Sequence, residues 1–231
     1  MELKETKHQK KDRPSVVGLK KKTDWEFYAQ VAIVIILSLI LIYNYSGKQT
    51  GNTTGIGTVS ASEIIPQGVP AIYGEELGIR YDDVSATDPK KADETINLLG
   101  NIDRVETLEG AELERYIDIL YKQYNGIACE YCCGARSVIF SNGEPACGCA
   151  HSYAMRGLAK YLIKYHGNEI TDEEILTEVG KWKTLFFPGI LEGKAQAMKS
   201  SGIQVDYINL TTNQYRGIEQ GKASGSMVGG C

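Results

Sequence analysis

The chain has 231 residues, six of them cysteine, and 42% of them hydrophobic. That is enough for one or two domains and too apolar for a disordered polymer. Residues 1–26 carry 8 Lys/Arg against 5 Asp/Glu, a net +3, so the total of −4 leaves −7 for the remainder. A mildly acidic main body excludes nucleic acid as a partner, because phosphate binding needs a basic face.

Phe27 to Tyr45 contains no charged side chain. As a helix it would run roughly 28 Å, near the ~30 Å of bilayer hydrocarbon. Trp25 and Tyr28 lie at one end, Tyr43 and Tyr45 at the other, where interfacial aromatic residues belong. The stretch is expected to be a retained single-pass transmembrane helix over 27–45. Lys4, Lys7, Lys10, Lys11, Arg13 and Lys20 to Lys22 precede it. The positive-inside rule then keeps the tail (1–26) in the cytoplasm and sends the C-terminal part outside the cell membrane. On that reading the lipid bilayer is a partner, and a protein at the cell surface is a possible second.

Residues 46–62 are rich in Gly, Ser, Thr and Asn and read as a flexible linker. The outer domain would be 63–231. Asp88-Pro89 is an N-cap with proline at the first helical position, opening a helix to about Leu99. Leu113, Tyr116, Ile117, Leu120 and Tyr124 give one apolar face to a helix over 112–124. Ser152 to Tyr165 is a third helix, with Met155, Leu158, Ala159, Leu162 and Ile163 as its stripe. Thr171 to Glu174 is a capping-box pattern opening a fourth, broken at Phe186-Phe187-Pro188. Ile190 to Ser200 is a fifth. Ile203 to Leu210 alternates and predicts a strand.

Five cysteines and one of three histidines fall within 23 residues: Cys129, Cys132, Cys133, Cys147, Cys149 and His151. Between the two groups, Arg136 to Phe140 has a strand pattern and Asn142-Gly143 is a hairpin signal. Cys147 to His151 would lie at the mouth of the third helix, whose N–H groups and dipole favour thiolates. This order of thiol turn, β-hairpin and thiol/imidazole pair at a helix start resembles a treble-clef zinc finger. It departs from that finger in having Cys-x-Cys-x-His at the helix and an extra Cys133. The preferred ligands are Cys129, Cys132, Cys149 and His151; Cys133, Cys147 and Cys231 are candidates to complete or replace them.

Zinc suits a tetrahedron of thiolate and imidazole. Copper is an alternative, since Cys149, His151 and Met155 would supply thiolate, imidazole and thioether, although Met155 also fits the core stripe. The string Cys149 to Met155 is faintly similar to the dinuclear copper loop of cytochrome oxidase subunit II, with a different spacing. An iron–sulfur cluster is a further alternative. Two readings need no metal: a disulfide-stapled interaction domain, and a thiol–disulfide redox protein using Cys129/Cys132 or Cys147/Cys149. No P-loop, dinucleotide fingerprint or G-x-S-x-G motif is present, so no enzyme class is assigned.

Gly68-Val69-Pro70-Ala71-Ile72-Tyr73-Gly74, the Cys129 to Gly134 string, Ala150-His151-Ser152 and Met155-Arg156-Gly157 together resemble a family of membrane-anchored archaeal and candidate-bacterial proteins. The resemblance covers most of the outer domain and implies no activity. The expected architecture is thus α+β: a mostly helical outer domain with a treble-clef-like cysteine cluster, behind one N-terminal transmembrane helix. The expected function is metal binding at a Cys/His site, structural or in metal trafficking.

Overall fold

The computed structural model describes residues 24–49, 58–221, 225 and 227–229. It divides into two compact units, Met1–Gly55 and Ile56–Cys231. The basic tail before residue 24, residues 50–57 of the expected linker and Cys231 lie outside the described residues.

In the first unit the described element is α1 (Asp24–Gln49). The expected helix is present, but the expected membrane span is not supported. Among the described residues no helix is long and apolar enough to cross a membrane. The single-pass anchor and the extracytoplasmic placement drawn from it are therefore withdrawn.

The second unit is built from α2 (Ala61–Ile64), α3 (Gly74–Leu77), α4 (Pro89–Val105), α5 (Gly110–Ile117), α6 (Ala150–His166), α7 (Asp172–Phe186), α8 (Pro188–Ser200) and α9 (Tyr207–Thr211). Local chemistry explains where the long ones start. The Asp88 carboxylate accepts from the Lys91 N–H at 3.1 Å and Pro89 takes the first helical position of α4. Thr171 and Glu174 cap α7 reciprocally. Phe187 ends α7, and Pro188, which lacks an N–H, opens α8. α5 runs on through one π-turn (Asp118–Lys122) and a 3₁₀ turn (Gln123–Asn125).

α4 buries Ala92, Thr95, Ile96, Leu99, Gly100 and Asp103, a stripe of three- and four-residue spacing. It lies along α6, which is buried on most of its circumference, from His151 to His166. A helix buried all round is a central one. The close approach is made possible by Gly157, where a Cβ would fall onto the Leu99 carbonyl oxygen. Trp182, Phe186 and Phe187 are fully buried in the core.

The α+β expectation is corrected: the structure is helical, with essentially no strands among the described residues. The hairpin survives only as a turn. Phe140 N–H donates to the Glu144 carbonyl and Ala146 N–H to the Val138 carbonyl, at 2.7 and 3.1 Å. The remaining pairing is an isolated antiparallel bridge between Ile139 and Pro145. Proline offers no N–H, so the ladder cannot extend through it. The treble-clef comparison keeps its helix and loses its sheet. In place of the strand expected over 203–210, residues 203–206 form no regular element and α9 follows, because the Asp206 carboxylate accepts from the Asn209 N–H at 2.8 Å and starts a helix there.

Gly157→Ala is expected to destabilise the fold by about 3 kcal/mol, since backbone must move to admit the methyl group. Gly148→Ala, where a Cβ meets nothing within 4 Å, is expected to change stability by less than about 0.5 kcal/mol. Denaturant midpoints of the two variants check both; equal effects would refute the close-approach argument.

Candidate metal centre

The cysteine loop leaves the 3₁₀ turn at Gly126 and re-enters helix at Ala150. Ile127 N–H donates to the Leu120 carbonyl and Val138 N–H to the Ile127 carbonyl, at 3.0 and 2.9 Å. These bonds fix both ends of the first thiol turn without a sheet. Cys149 is the N-cap of α6, its sulfur accepting from the Ser152 N–H at 3.4 Å. A thiolate thereby takes the place usually held by a serine or aspartate oxygen.

Cys129, Cys149 and His151 come together, each presenting one ligand atom, with all three atoms within 4.8 Å of one another. The Cys129 and Cys149 sulfurs are 3.4 Å apart. Cys147 lies at the margin, its sulfur 3.6 Å from that of Cys149. Cys129 and Cys147 are buried, Cys149 is half-buried, and Cys132 and Cys133 are exposed on the turn. The Cys133 and Cys147 sulfurs are 2.6 Å apart. Met155 is fully buried in the hydrophobic core with Leu158 and Leu162.

The two central sulfurs are hydrogen-bonded to each other. That bond with Cys129 holds the Cys149 thiol far below its usual value, down to about 2, against the cost of burial; His151 and Ser152 add to the effect. Cys129 is driven up by the same bond and by burial. Burial and the contact with Cys133 push Cys147 up to about 11.

His151 is packed between Phe186 and Phe187, with ring centroids 4.8 and 5.0 Å away. Its Nε2 donates to the Val228 carbonyl at 2.8 Å. A metal held here would take Nδ1, the usual division of labour in a ligating histidine. Val228 is itself tied down, donating its N–H to the Phe186 carbonyl at 2.9 Å. Gly229 follows with φ +83 against Ile96, a conformation and a contact that only glycine accepts without strain.

Three features around the trio have no signature in local sequence pattern. Glu130, beside Cys129, has a side chain only 4% exposed and faces Lys183 at 3.2 Å, Lys194 at 3.7 Å and Arg216 at 3.3 Å. Burial alone would raise its carboxyl; Lys183 and Lys194 outweigh that and hold it below its ordinary value. Burial lowers Lys183 to about 8. Arg156 is fully buried. It donates to Asp103 at 2.8 Å and to the Cys147 carbonyl at 2.8 Å. Arg216 donates to the Gly134 and Ala135 carbonyls, each at 3.1 Å.

Two measurements probe this geometry. In the reduced, metal-free protein one thiolate's ultraviolet absorbance is expected to persist at about pH 5, where an ordinary cysteine is fully protonated. Its folded-state value is depressed, so the signal is lost only as pH falls toward about 2, and Cys149→Ser removes it. A signal that titrates away near pH 8 would refute the depressed Cys149 thiol. Deleting residues 228–231 removes the Val228 carbonyl and is expected to weaken metal binding about 10- to 100-fold, while Cys231→Ser leaves it unchanged; equal losses in both would assign the effect to the thiol instead.

No family model, curated protein or solved structure matches the chain, so the chemistry of the site itself carries the functional reading.

Proposed function

We propose that residues 56–231 form a metal-binding domain that takes one zinc ion through Cys129, Cys149 and the Nδ1 atom of His151, with Cys147 as the fourth ligand in the reduced protein. The observation that carries this is the convergence of three ligand atoms within 4.8 Å. Zinc–sulfur bonds of ~2.3 Å and zinc–nitrogen bonds of ~2.0 Å place neighbouring ligand atoms about 3.5–3.8 Å apart. The Cys129–Cys149 and Cys147–Cys149 separations of 3.4 and 3.6 Å lie close to that range. Zinc is favoured over copper because the core position of Met155 supplies no thioether. It is favoured over an iron–sulfur cluster because the convergent set includes an imidazole.

The site suits exchange more than scaffolding. A small zinc finger folds only with its metal. Here a core that includes Trp182, Phe186, Leu158 and Leu99 is assembled by the helices themselves. Metal can therefore leave without unfolding the domain, and the exposed side of the cysteine turn gives a partner ligand access. We assign the domain to zinc handling, meaning storage or transfer.

The full chain, purified under reducing conditions, is expected to carry about one equivalent of zinc per chain by elemental analysis. Cys149→Ser and His151→Ala are each expected to lose it, and mild chelation to strip the wild type with its helical circular dichroism intact. Variants that keep full metal content would overturn the ligand assignment. Unfolding on chelation would turn the site from a handling site into a structural one.

A further inference from the structure

The sulfurs around the trio fall into two distance classes. Cys129–Cys149 and Cys147–Cys149, at 3.4 and 3.6 Å, approximate the edge of a ligand tetrahedron. Cys133–Cys147, at 2.6 Å, does not. It is too short for two thiolates on one zinc, which sit about 3.8 Å apart, and approaches the ~2.05 Å of a covalent S–S bond. The backbones on either side are held by groups other than the sulfurs. Arg216 grips the Gly134 and Ala135 carbonyls after Cys133. Arg156 grips the Cys147 carbonyl. The two cysteines are thus presented to each other by the fold, one exposed and one buried.

We propose that Cys133 and Cys147 are a redox-active pair that gates the metal centre. Reduced, Cys147 supplies the fourth thiolate; oxidised, it is tied to Cys133 and the ion is left with Cys129, Cys149 and His151. The gating half rests on the zinc-binding reading above. The oxidant is a low-molecular-weight disulfide. The exposed Cys133, as thiolate, attacks one of its sulfurs, forming a mixed disulfide and expelling one thiolate. Cys147, having lost its proton, then attacks the Cys133 sulfur and expels the second. Two protein thiols give up two protons and two electrons, and the external S–S bond becomes two thiols. Exposure of Cys133 makes it the entry point, and the buried Cys147 transmits the change to the site.

The test uses the full chain, zinc-loaded under reducing conditions and then treated with oxidised glutathione. Free thiols are alkylated, disulfides mapped by peptide mass spectrometry, and zinc affinity measured by competition with a chromogenic chelator. A Cys133–Cys147 link is expected, with Cys129 and Cys149 unlinked and zinc affinity lowered at least about tenfold by the lost thiolate ligand, reversibly with dithiothreitol. In Cys133→Ser the oxidant is expected to leave zinc affinity unchanged. Cys147 found unlinked, or linked to another cysteine, overturns the pair. A Cys133–Cys147 link that leaves affinity unaltered overturns the gate alone. Reduced protein that binds no zinc overturns the gate together with the metal reading, while mapping of that same protein still decides whether the pair forms.

Discussion

The buried ion pair between Arg156 and Asp103 joins the helical framework to the cysteine loop. Arg156 is 0% exposed and Asp103 2%, with 2.8 Å between them, and Lys160 reaches the other carboxylate oxygen at 2.8 Å. A buried ion pair is weak evidence of stability, because desolvation offsets much of its Coulombic gain. What Arg156 adds is position. Its second donor branch bonds the Val138 and Cys147 carbonyls, at 3.1 and 2.8 Å, so one side chain of α6 fixes α4, the turn and the second thiol group together. Tyr153 lies against the guanidinium at 4.5 Å and carries Arg104 at 4.6 Å. Removing Asp103 alone would strand a buried charge, a loss of about 3–5 kcal/mol, and would free the Cys147 carbonyl to move.

A second charged group works from the opposite side. Glu130 meets three cations: Lys183, Lys194 and Arg216. Lys194 Nζ makes no hydrogen bond among the described residues. One carboxylate does not neutralise three cations, and low-dielectric surroundings make the surplus costly. The cost falls when negative charge gathers nearby, and Cys129 adjoins Glu130 in the chain. Burial, the same cause that lowers Lys183 to about 8, strengthens its attraction for a thiolate or an anionic zinc–thiolate complex. The surplus positive charge thus complements the negative charge that the proposed metal binding would bring.

The helices were legible where a local device marks them. Asp88-Pro89, the Thr171/Glu174 box and Phe187-Pro188 each act within one turn of chain. The alternation over 203–210 was misleading because Asp206 makes a capping bond, which alternation does not register. The hairpin signal at Asn142-Gly143 was real as a turn, but Pro145 denied it a ladder. The cysteine cluster was legible from density alone, and the helix-side pair Cys149 and His151 from its place before an apolar stripe. Cys132 was a preferred ligand by Cys-x-x-Cys spacing, yet the structure places it on the exposed turn, outside the convergent trio. Glu130 with Lys183, and His151 with Val228, join positions 53 and 77 residues apart. Such pairs are set by tertiary packing, which no local period encodes. At α1, apolar composition suggested a span that the described residues do not support.

Metal binding and folding are coupled only when the unfolded chain lacks any other route to a core. In this domain α4, α6 and α7 bury Leu99, Leu158 and Trp182 completely, and Gly157 sets the α4–α6 approach with no help from sulfur. The candidate ligands lie where that core ends: Cys149 and His151 at the start of α6 and Cys129 on the adjoining loop, with Val228, the partner of His151, strapped to the end of α7 through the Phe186 carbonyl. A ligand set mounted on a finished scaffold is preorganised, so binding spends little energy on ordering the chain. The same mounting places the Cys147 sulfur between two neighbours, Cys149 at 3.6 Å and Cys133 at 2.6 Å. In the proposed gate, which of the two sides it serves would follow the electron balance of the surroundings rather than a change of fold.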